Sequence, residues 1–413
     1  MKRLIIVGAG SRGMGVYADY AARHPQQFAV VGVAEPRLYY RQETARRHGL
    51  GSDRCWEDWR PLLSQPPLAE AVVVATQDKD HVEPALALLE HGYDVLLEKP
   101  MATTLDECRQ LQQASRRHER LLVVAHVLRY TPYFRQLKSL VEQRLLGQLA
   151  TVRHFEPVLY WHQAHSFVRG NWRNSRQSAP MILAKSCHDL DMICHLVGED
   201  PVAVASFGSL SHFRAAHRPA QATDRCLDCP LADQGCAYSA KRFYMGFQQK
   251  GQLGWPLDVL TADTSAEGVT KALREGPYGR CVYACDNDVV DHQVVALEFA
   301  SGVSATFTMT AFAADRWRET ELLGSKGQLL GDGQRLRFRS FESDEEQMWD
   351  FSHVPTHGHG GGDDGLMDFF HGCLENRQEA LARPLAEEAF RGHALCFAAE
   401  QARLQRRVIE MSL

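Results

Sequence analysis

Near the start of the chain stands the stretch Leu4-Ile5-Ile6-Val7-Gly8-Ala9-Gly10-Ser11-Arg12-Gly13, an apolar run that leads directly into a glycine-rich turn. The four apolar residues are typical of a strand that is buried on both faces. Gly8, Gly10 and Gly13 let the backbone turn tightly and approach a pyrophosphate at the N-terminus of a following helix. The stretch therefore predicts the first unit of a dinucleotide-binding domain.

The residue after the second predicted strand indicates which dinucleotide is bound. Glu35 follows residues 29–34 and lies roughly the expected 20 residues beyond the glycine turn. A carboxylate there accepts a hydrogen bond from the ribose 2′-hydroxyl and repels a 2′-phosphate. Arg37 would tolerate that phosphate, so the sequence favours NAD without excluding NADP. A glycine turn that binds nothing is the alternative.

Strands and helices alternate through residues 1–126, which we predict to be one NAD(P)-binding domain. Apolar runs predict strands over 4–7, 29–34, 71–75, 95–97 and 121–125. Helical spacing between them predicts helices over 14–23, 39–48, 82–91 and 105–118. This alternation is typical of an α/β fold, here a doubly wound parallel Rossmann sheet.

Residues 127–413 show a different pattern, with many strands and few helices. Strands are predicted over 148–155, 202–207, 293–299, 303–309, 319–323, 328–330 and 336–341. Helices are predicted over 133–144, 185–197, 366–375 and 385–409. The pattern indicates an α+β domain with a largely antiparallel sheet. Residues 211–288 look irregular and contain Pro, Gly and Cys, which is typical of an insertion or functional loop.

The composition excludes several classes of protein. The 413 residues are 45% hydrophobic and 23% charged, with a net charge of -5. These values are inconsistent with a disordered chain and give no electrostatic footprint for nucleic acid. No apolar run approaches the roughly 20 residues that span a bilayer, and Leu4–Val7 is too short for a signal core. We therefore expect a cytoplasmic protein without membrane partners.

Glu98-Lys99-Pro100 ends the predicted strand over 95–97. Ligands bind outside the carboxyl ends of parallel strands, which places Lys99 near the nicotinamide. With Val72–Thr76, His81 and His126-Val127-Leu128-Arg129-Tyr130, this corner resembles the glucose-fructose oxidoreductase / inositol dehydrogenase / MocA family over nearly the whole chain.

The resemblance implies a nicotinamide-dependent enzyme that acts on sugars, polyols or their derivatives. It also implies a C-terminal sheet that commonly forms oligomer interfaces, so we expect a homodimer or homotetramer. It extends the expected cofactor site, which then consists of Gly8, Gly10, Ser11, Arg12, Gly13, Glu35, Arg37, Thr76, His81, Glu98, Lys99 and His126.

A second polar cluster is predicted from Ala184-Lys185-Ser186-Cys187-His188-Asp189-Leu190-Asp191. Lys185 and His188 are three residues apart and share one helix face. A histidine suits removal of a hydroxyl proton, and a lysine stabilises alkoxide character. Related enzymes often carry Asp four residues before this His, where this chain has Ala184. We expect Lys99, Lys185 and His188 to be catalytic, with the general base undecided.

Aromatic and polar residues alternate in segments 161–165 and 169–173, a composition that suits sugar rings and their hydroxyls. Either segment is alternatively an ordinary loop that packs on the first domain. The glycine-rich run His357–Asp363 brings in His359, with Asp363 as a plausible N-cap. The expected substrate-binding residues are Arg129, Tyr130, Trp161, Arg169, Trp172, Asp191 and His359.

The chain contains 11 cysteines, an odd number that argues against a full disulfide framework. Cys226, Cys229, Cys236 and Cys281 suggest a tetrahedral structural zinc site. Cys285 or a nearby histidine is an alternative fourth ligand. Free thiols and disulfides are the other interpretations.

Three functions are compatible with these features. The first is an NAD-dependent oxidoreductase that transfers a hydride between nicotinamide and a carbinol carbon of a sugar, polyol or glycoside. The second is a glycoside hydrolase that uses transient oxidation and elimination with no net redox change. The third is a non-catalytic sensor of dinucleotide and sugar.

Overall fold

The computed structural model describes residues 1–354 and 358–411. Strands in these residues form two sheets: β1 (Lys2–Val7), β2 (Phe28–Ala34), β3 (Cys55–Trp56), β4 (Ala71–Val74), β5 (Asp94–Leu97), β6 (Leu122–Val124), β7 (Leu149–Leu159), β8 (Pro201–Ser209), β9 (His292–Phe299), β10 (Ser304–Ala313), β11 (Glu319–Gly324), β12 (Gly327–Gly331), β13 (Arg335–Ser340), β14 (Glu346–Asp350) and β15 (Ile409–Glu410).

Helices surround the sheets. They are α1 (Asp19–Arg23), α2 (Leu38–His48), α3 (Val82–His91), α4 (Leu105–Arg117), α5 (Pro132–Glu142), α6 (Tyr160–His162), α7 (Met181–Ala184), α8 (Cys187–Val197), α9 (Ala240–Gln249), α10 (Ala266–Glu275), α11 (Gly358–Glu375), α12 (Arg377–Leu381) and α13 (Leu385–Gln405). A π-helical segment, Gly13–Ala18, precedes α1.

The first sheet is parallel throughout and has the order β3-β2-β1-β4-β5-β6. Its central strands are buried on both faces, which explains why they are continuously apolar. The predicted Rossmann sheet is confirmed. The short edge strand β3 was not predicted, because two residues carry no usable periodicity. Strands β1, β2, β4 and β5 end at the same edge, where the glycine turn, Glu35 and Lys99 follow them.

The second sheet has nine strands in the order β14-β13-β12-β11-β7-β10-β9-β8-β15. Only β7 and β10 pair in parallel; the other pairings are antiparallel, as predicted. Helices α5 and α8 pack on one face of the sheet. On the other face, Phe207, Val294 and Phe312 are exposed, so part of the sheet lies open.

Three expectations about secondary structure are wrong. The helix predicted over 185–197 begins at Cys187 as α8, so Lys185 does not share a helix face with His188. The irregular stretch 211–288 contains α9 and α10, whose N-caps are Ser239 and Ser265. The last helix ends at Gln405, and Ile409–Glu410 instead pairs with β8 as β15. Arg406 adopts a left-handed conformation and ends the helix there. Strand β14 was also missed, since its exposed residues show no apolar alternation.

Helix α11 returns to the first sheet, although it lies near the end of the chain. Leu366, Met367 and Phe370 share an apolar cluster with Leu4 and Ile6 of β1. The core of the Rossmann sheet therefore includes residues far outside segment 1–126. In the part of the chain that is described, we find no helix both long enough and apolar enough to traverse a bilayer.

Candidate active site

The glycine turn after β1 requires glycine at two positions. Gly8 has φ +87°, and a Cβ there would lie 2.6 Å from the Ala75 carbonyl oxygen after β4. A Cβ on Gly13 would lie 1.9 Å from the Gly8 carbonyl oxygen. A side chain at either position would collide with backbone atoms packed against the turn, so the tight turn requires glycine at both. Ser11 is exposed at the tip of this turn.

Glu35 is an ionised carboxylate at the carboxyl end of β2. It is only 2% exposed, accepts a hydrogen bond from the Ala9 amide (2.8 Å), and accepts two from the amide and Nε of Arg37 (2.9 and 2.7 Å). Burial opposes ionisation, but the hydrogen bonds from Arg37 and Ala9 outweigh it and lower the pKa of Glu35. Arg37 is thereby held to Glu35 just beyond the end of β2.

Arg12 connects three segments that are distant in sequence. Its Nε donates to Glu98 (2.5 Å), and its terminal nitrogens donate to both oxygens of Asp363 (2.9 and 3.0 Å) and to Tyr17 (2.9 Å). Asp363 also lies 3.1 Å from His359 Nδ1. Asp363 is therefore an ion-pair partner of the glycine turn rather than the N-cap that we expected.

The Glu98-Lys99-Pro100 corner is supported from both sides. Glu98 accepts a hydrogen bond from the Lys99 amide (2.9 Å). Burial by itself would raise the pKa of Glu98, but the positive charges of Arg12 and Lys99 outweigh it and lower that pKa. His81 Nδ1 lies 2.7 Å from the Pro100 carbonyl oxygen and its Nε2 lies 3.3 Å from that of Thr76. In this structure His81 and Thr76 contact the corner itself.

Lys99 reaches across to the second predicted cluster. Its Nζ donates to the carbonyl oxygen of Ala184 (3.0 Å), just before α8. His188 on α8 is 4% exposed, and its ring centroid lies 6.0 Å from that of His126 and 6.2 Å from that of His359. Burial, assisted by the charge of Lys99, lowers the pKa of His188 well below its ordinary value. His188 is therefore a neutral proton acceptor near pH 7.

Lys185 is paired with a carboxylate that the sequence did not reveal. Its Nζ lies 2.7 Å from Oε1 of Glu156 on β7, and Arg318 Nε lies 2.8 Å from the other carboxylate oxygen. Glu156 is 3% exposed, so its charge depends on these two cations. No sequence signal marks Glu156, because it sits within an ordinary strand far from Lys185.

Arg129 and Asp191 bind each other beneath this cluster. Two nitrogens of Arg129 donate to the two oxygens of Asp191, each at 2.7 Å. Burial raises the pKa of Asp191, but Arg129 outweighs it and brings that pKa to about 2. His126 Nδ1 lies 3.4 Å from Asp191, and Tyr130 packs on Phe369. These predicted cofactor and substrate residues thus contact one another and brace α8.

Of the remaining predicted substrate-binding residues, His359 lies beside His188, and the other three contact other parts of the molecule. His359, in a left-handed conformation, borders His188, whereas His357 lies outside the described residues. Trp172 donates to Asp78 (2.9 Å) between the two sheets. Trp161 packs on Phe243 of α9. Arg169 is buried and donates to the carbonyl oxygens of Arg280 and Tyr238, each at 2.7 Å, so it holds the 211–288 insertion.

His162, in segment 161–165, was not assigned a role from the sequence. Burial, together with the nearby positive charge of Lys185, lowers the pKa of His162 well below its ordinary value. Its ring centroid lies 6.1 Å from that of Phe167 and 5.1 Å from that of Trp255. With 19 histidines in the chain, composition alone did not single it out.

The four cysteines of the predicted zinc site come together without forming a metal site. Cys226, Cys229, Cys236 and Cys281 line one cavity of about 20 Å³. Nevertheless, across residues 1–354 and 358–411 no group of three or more His, Cys, Asp or Glu is placed to hold a metal ion. All eleven cysteines are free thiols. Burial raises the pKa of Cys236 and of Cys281.

Comparison with known families assigns both halves of the chain. Residues 2–126 match the oxidoreductase family with an NAD-binding Rossmann fold, and residues 138–411 match the C-terminal alpha/beta domain of the same family. The chain belongs to this family. The resemblance inferred from the glycine turn and the Glu98-Lys99-Pro100 corner is therefore confirmed.

Curated relatives of this oxidoreductase are distant. YteT of Bacillus subtilis, named as an oxidoreductase, is 24% identical over 89% of this chain and 88% of its own. Levoglucosan dehydrogenase of Pseudarthrobacter phenanthrenivorans is 27% identical over 47% of this chain and 50% of its own. A 2,7-anhydro-N-acetylneuraminate hydratase of Mediterraneibacter gnavus is 28% identical over 34% and 36%.

The fold of the oxidoreductase is shared with solved structures over its whole length. A levoglucosan dehydrogenase in complex with NADH superposes with a TM-score of 0.70 at 19% identity, covering 99% of each chain. The glycine turn and the Glu35 carboxylate of this chain suit such a cofactor, because glycine at positions 8 and 13 keeps the turn tight and the carboxylate directly follows β2.

Proposed function

We propose that this oxidoreductase uses NAD to oxidise or reduce a carbinol carbon of a sugar, polyol or glycoside. The observation that carries the proposal is the contact between Lys99, which follows β5, and the carbonyl oxygen of Ala184, the residue directly before Lys185 and four before His188. A site of this kind lies where ligands bind in an open parallel sheet. The levoglucosan dehydrogenase relative supports a sugar substrate.

Each group has a distinct role in this proposal. The Gly8, Gly10 and Gly13 cradle and Glu35 would hold NAD, which supplies the acceptor for a hydride. Neutral His188 removes the hydroxyl proton, since its buried ring favours the uncharged form. Lys99 orients the oxygen and stabilises its developing negative charge. Lys185, held by Glu156, adds a second positive charge.

One assay with two readouts tests the proposal. The purified protein is incubated with NAD and a panel of free sugars and aryl glycosides, while nicotinamide absorbance and aglycone release are followed together. We expect reduced nicotinamide to accumulate without aglycone. If no sugar is turned over, and Lys99→Ala leaves the binding of a protein partner unaffected, the third hypothesis of a non-catalytic sensor replaces this one.

A redox-neutral glycoside hydrolase is the second candidate. One of the relatives is named as a hydratase, and hydration involves no net redox change. This relative favours the alternative. The replacement of the usual Asp by Ala184 and the presence of Lys185 also leave room for elimination chemistry. Aglycone release that requires NAD but leaves its redox state unchanged would establish this function.

We also propose that the protein is a homodimer or homotetramer that associates through the open face of the second sheet. Phe207 and Val294 lie opposite each other on neighbouring strands β8 and β9, and both are exposed. Contiguous exposed apolar side chains on a sheet favour a protein interface. The eleven free cysteines support a cytoplasmic location, where thiols stay reduced.

Zinc is no part of the proposed reaction. Metal analysis of protein purified without a His tag checks the cysteine hypothesis. Near-stoichiometric zinc would mean that Cys226, Cys229, Cys236 and Cys281 close around an ion. Absence of zinc would leave them as free thiols of the insertion.

A further inference from the structure

Helix α6 (Tyr160–His162) lies between the proposed catalytic cluster and a separate cavity. His162 ends α6, which directly follows β7, and Glu156 on β7 pairs with Lys185 of the proposed catalytic cluster (2.7 Å). Trp161, the preceding residue, lines a separate cavity of about 200 Å³ that α9 closes from the other side. Trp255 packs near both residues, with ring centroids 5.5 Å from Trp161 and 5.1 Å from His162. The cavity therefore adjoins the catalytic cluster but is distinct from it.

The walls of this cavity are aromatic. The ring of Trp161 lies 4.9 Å from that of Phe243 and 6.3 Å from that of Phe247. Tyr160 and Tyr238, whose rings are 6.2 Å apart, complete the wall. Aromatic faces of this type pack against the CH faces of sugar rings.

Three cations line the same cavity and lack counter-ions. They are Arg169, Arg242 and Lys250, and the lining contains no carboxylate. Within the described ranges none of the three lies within the 4.0 Å that defines an ion pair with Asp or Glu. Arg242 donates only to the carbonyl oxygens of Cys236 and Ala237, and Arg169 also bonds to backbone oxygens.

Arg169 is the most informative of the three, because it is 3% exposed. A buried guanidinium without a negative partner is unfavourable, and an anion that enters the cavity would relieve this cost. The neighbouring Cys226 thiol, 3.6 Å from Arg169, supplies only a weak acceptor. The cavity thus combines a surface for a sugar ring with an unbalanced positive charge.

The size of the cavity limits what it holds. Complete sites for small molecules measure roughly 300–1,000 Å³, whereas this cavity measures about 200 Å³. We infer that it is a second substrate subsite, which binds an anionic sugar ring, a hexuronate or a sulfated hexose, as one unit of a di- or oligosaccharide. The inference rests on the proposed function in that the ligand is a saccharide.

Calorimetric binding tests the subsite without requiring turnover. The full chain, loaded with NAD, is titrated with glucuronosyl-β-1,4-glucose, with 6′-O-sulfated cellobiose and with cellobiose as the neutral counterpart. We expect at least one anionic disaccharide to bind about tenfold more tightly than cellobiose, because hydrogen bonds to charged groups contribute on that order. The disaccharide that is preferred tells a carboxylate from a sulfate.

A matched pair of variants assigns the preference to the cavity. The double variant Arg242→Gln, Lys250→Gln removes two cations and is expected to abolish the tenfold preference while leaving cellobiose binding unchanged. Lys241→Gln is the control, because Lys241 is adjacent to Arg242 but lies outside the lining and pairs with Asp233 (2.7 Å). It should retain the preference.

Three results would overturn the subsite: equal affinity for anionic and neutral disaccharides, no measurable binding of either anionic one, or a preference that survives in the double variant. Failure of the proposed function is a separate result. A chain that prefers the anionic disaccharide but never reduces nicotinamide keeps the subsite and loses the dehydrogenase activity. A chain that reduces nicotinamide but shows no such preference keeps the dehydrogenase activity and loses the subsite.

Discussion

The carboxylate of Glu35 is held between the amide of Ala9 and the side chain of Arg37. Lys99 is held by the backbone of Ala184, 85 residues away along the chain. Each residue was identified from a local motif, yet each takes its chemistry from a partner that another segment supplies. Substitutions at these two positions are therefore expected to change function more than stability.

Lys99→Met should lower kcat by about 100-fold or more, the range over which a positioned acid–base group contributes. The dissociation constant of NAD should change little, because Lys99 is proposed to act on the substrate hydroxyl. Steady-state kinetics and NADH fluorescence titration measure the two quantities. Lys79→Met, on the surface of the same domain, is the control. An unchanged kcat would remove Lys99 from the mechanism.

Glu35→Ala should shift cofactor preference from NAD toward NADP by about tenfold. The variant loses the acceptor for the ribose 2′-hydroxyl and frees Arg37, which now pairs with Glu35, to meet a 2′-phosphate. Titration with both cofactors gives the ratio of dissociation constants. Glu57→Gln, which alters an exposed partner of Arg41, should leave that ratio as it is. A constant ratio in Glu35→Ala would mean that the ribose is recognised elsewhere.

Among the elements, α11 and α13 determine how the two sheets meet. Helix α11 supplies Asp363 to Arg12 of the glycine turn, and α13 supplies His393, whose Nε2 accepts from the Met101 amide (2.8 Å). Both contacts are buried and both join the end of the chain to the cofactor domain. The stability of the site thus depends on helices that follow the second sheet in sequence.

Asp363→Asn should lower the free energy of unfolding by about 2 kcal/mol, since it removes the charged acceptor of two hydrogen bonds from the half-buried guanidinium of Arg12. Asp364→Asn is a matched control, because Asp364 makes an exposed pair with Arg23 and should cost less than about 1 kcal/mol. Urea unfolding of both variants measures the difference. Equal losses would show that the Arg12 contact adds no stability beyond a surface pair.

His393 should make stability depend on pH. Burial lowers the pKa of His393 to about 3. Below pH ~6.5 the unfolded chain therefore binds a proton at this residue that the folded chain does not bind until about pH 3. The contribution is fully present above pH ~6.5 and is lost as pH falls, by up to about 1.4 kcal/mol per unit. Urea unfolding between pH 7.5 and 5 should show a shallower slope in His393→Gln than in the wild type. Parallel slopes would contradict this assignment.

At the scale of the whole molecule, the second sheet is covered on one face and open on the other. Its exposed residues include Phe207, Val294 and Phe312, while the residues that alternate with them are buried under α5 and α8. Such a sheet presents a broad surface to a second copy of the chain. The proposed oligomer and the catalytic cleft therefore use different faces of the molecule.

Phe207→Glu should convert the oligomer to monomer at the same protein concentration, because a carboxylate would be buried without a partner in the interface. Light scattering coupled to size exclusion measures the mass. Phe341→Glu changes an equally exposed ring beyond the end of β13 and should leave the mass unchanged. A wild-type protein that is already monomeric, or a Phe207→Glu variant of unchanged mass, would refute association through this face.

Sequence by itself determined the Rossmann sheet, the NAD-binding turn and seven strands of the second sheet, because each depends on local periodicity or on glycines at fixed spacing. It also singled out Lys99 and His188 as catalytic candidates, because they stand in short motifs. Tertiary structure alone decided the partners: Glu156 for Lys185, Asp363 for Arg12, and the cationic cavity around Trp161. These contacts join segments far apart in the chain, and no local pattern encodes which distant side chain will balance a buried charge.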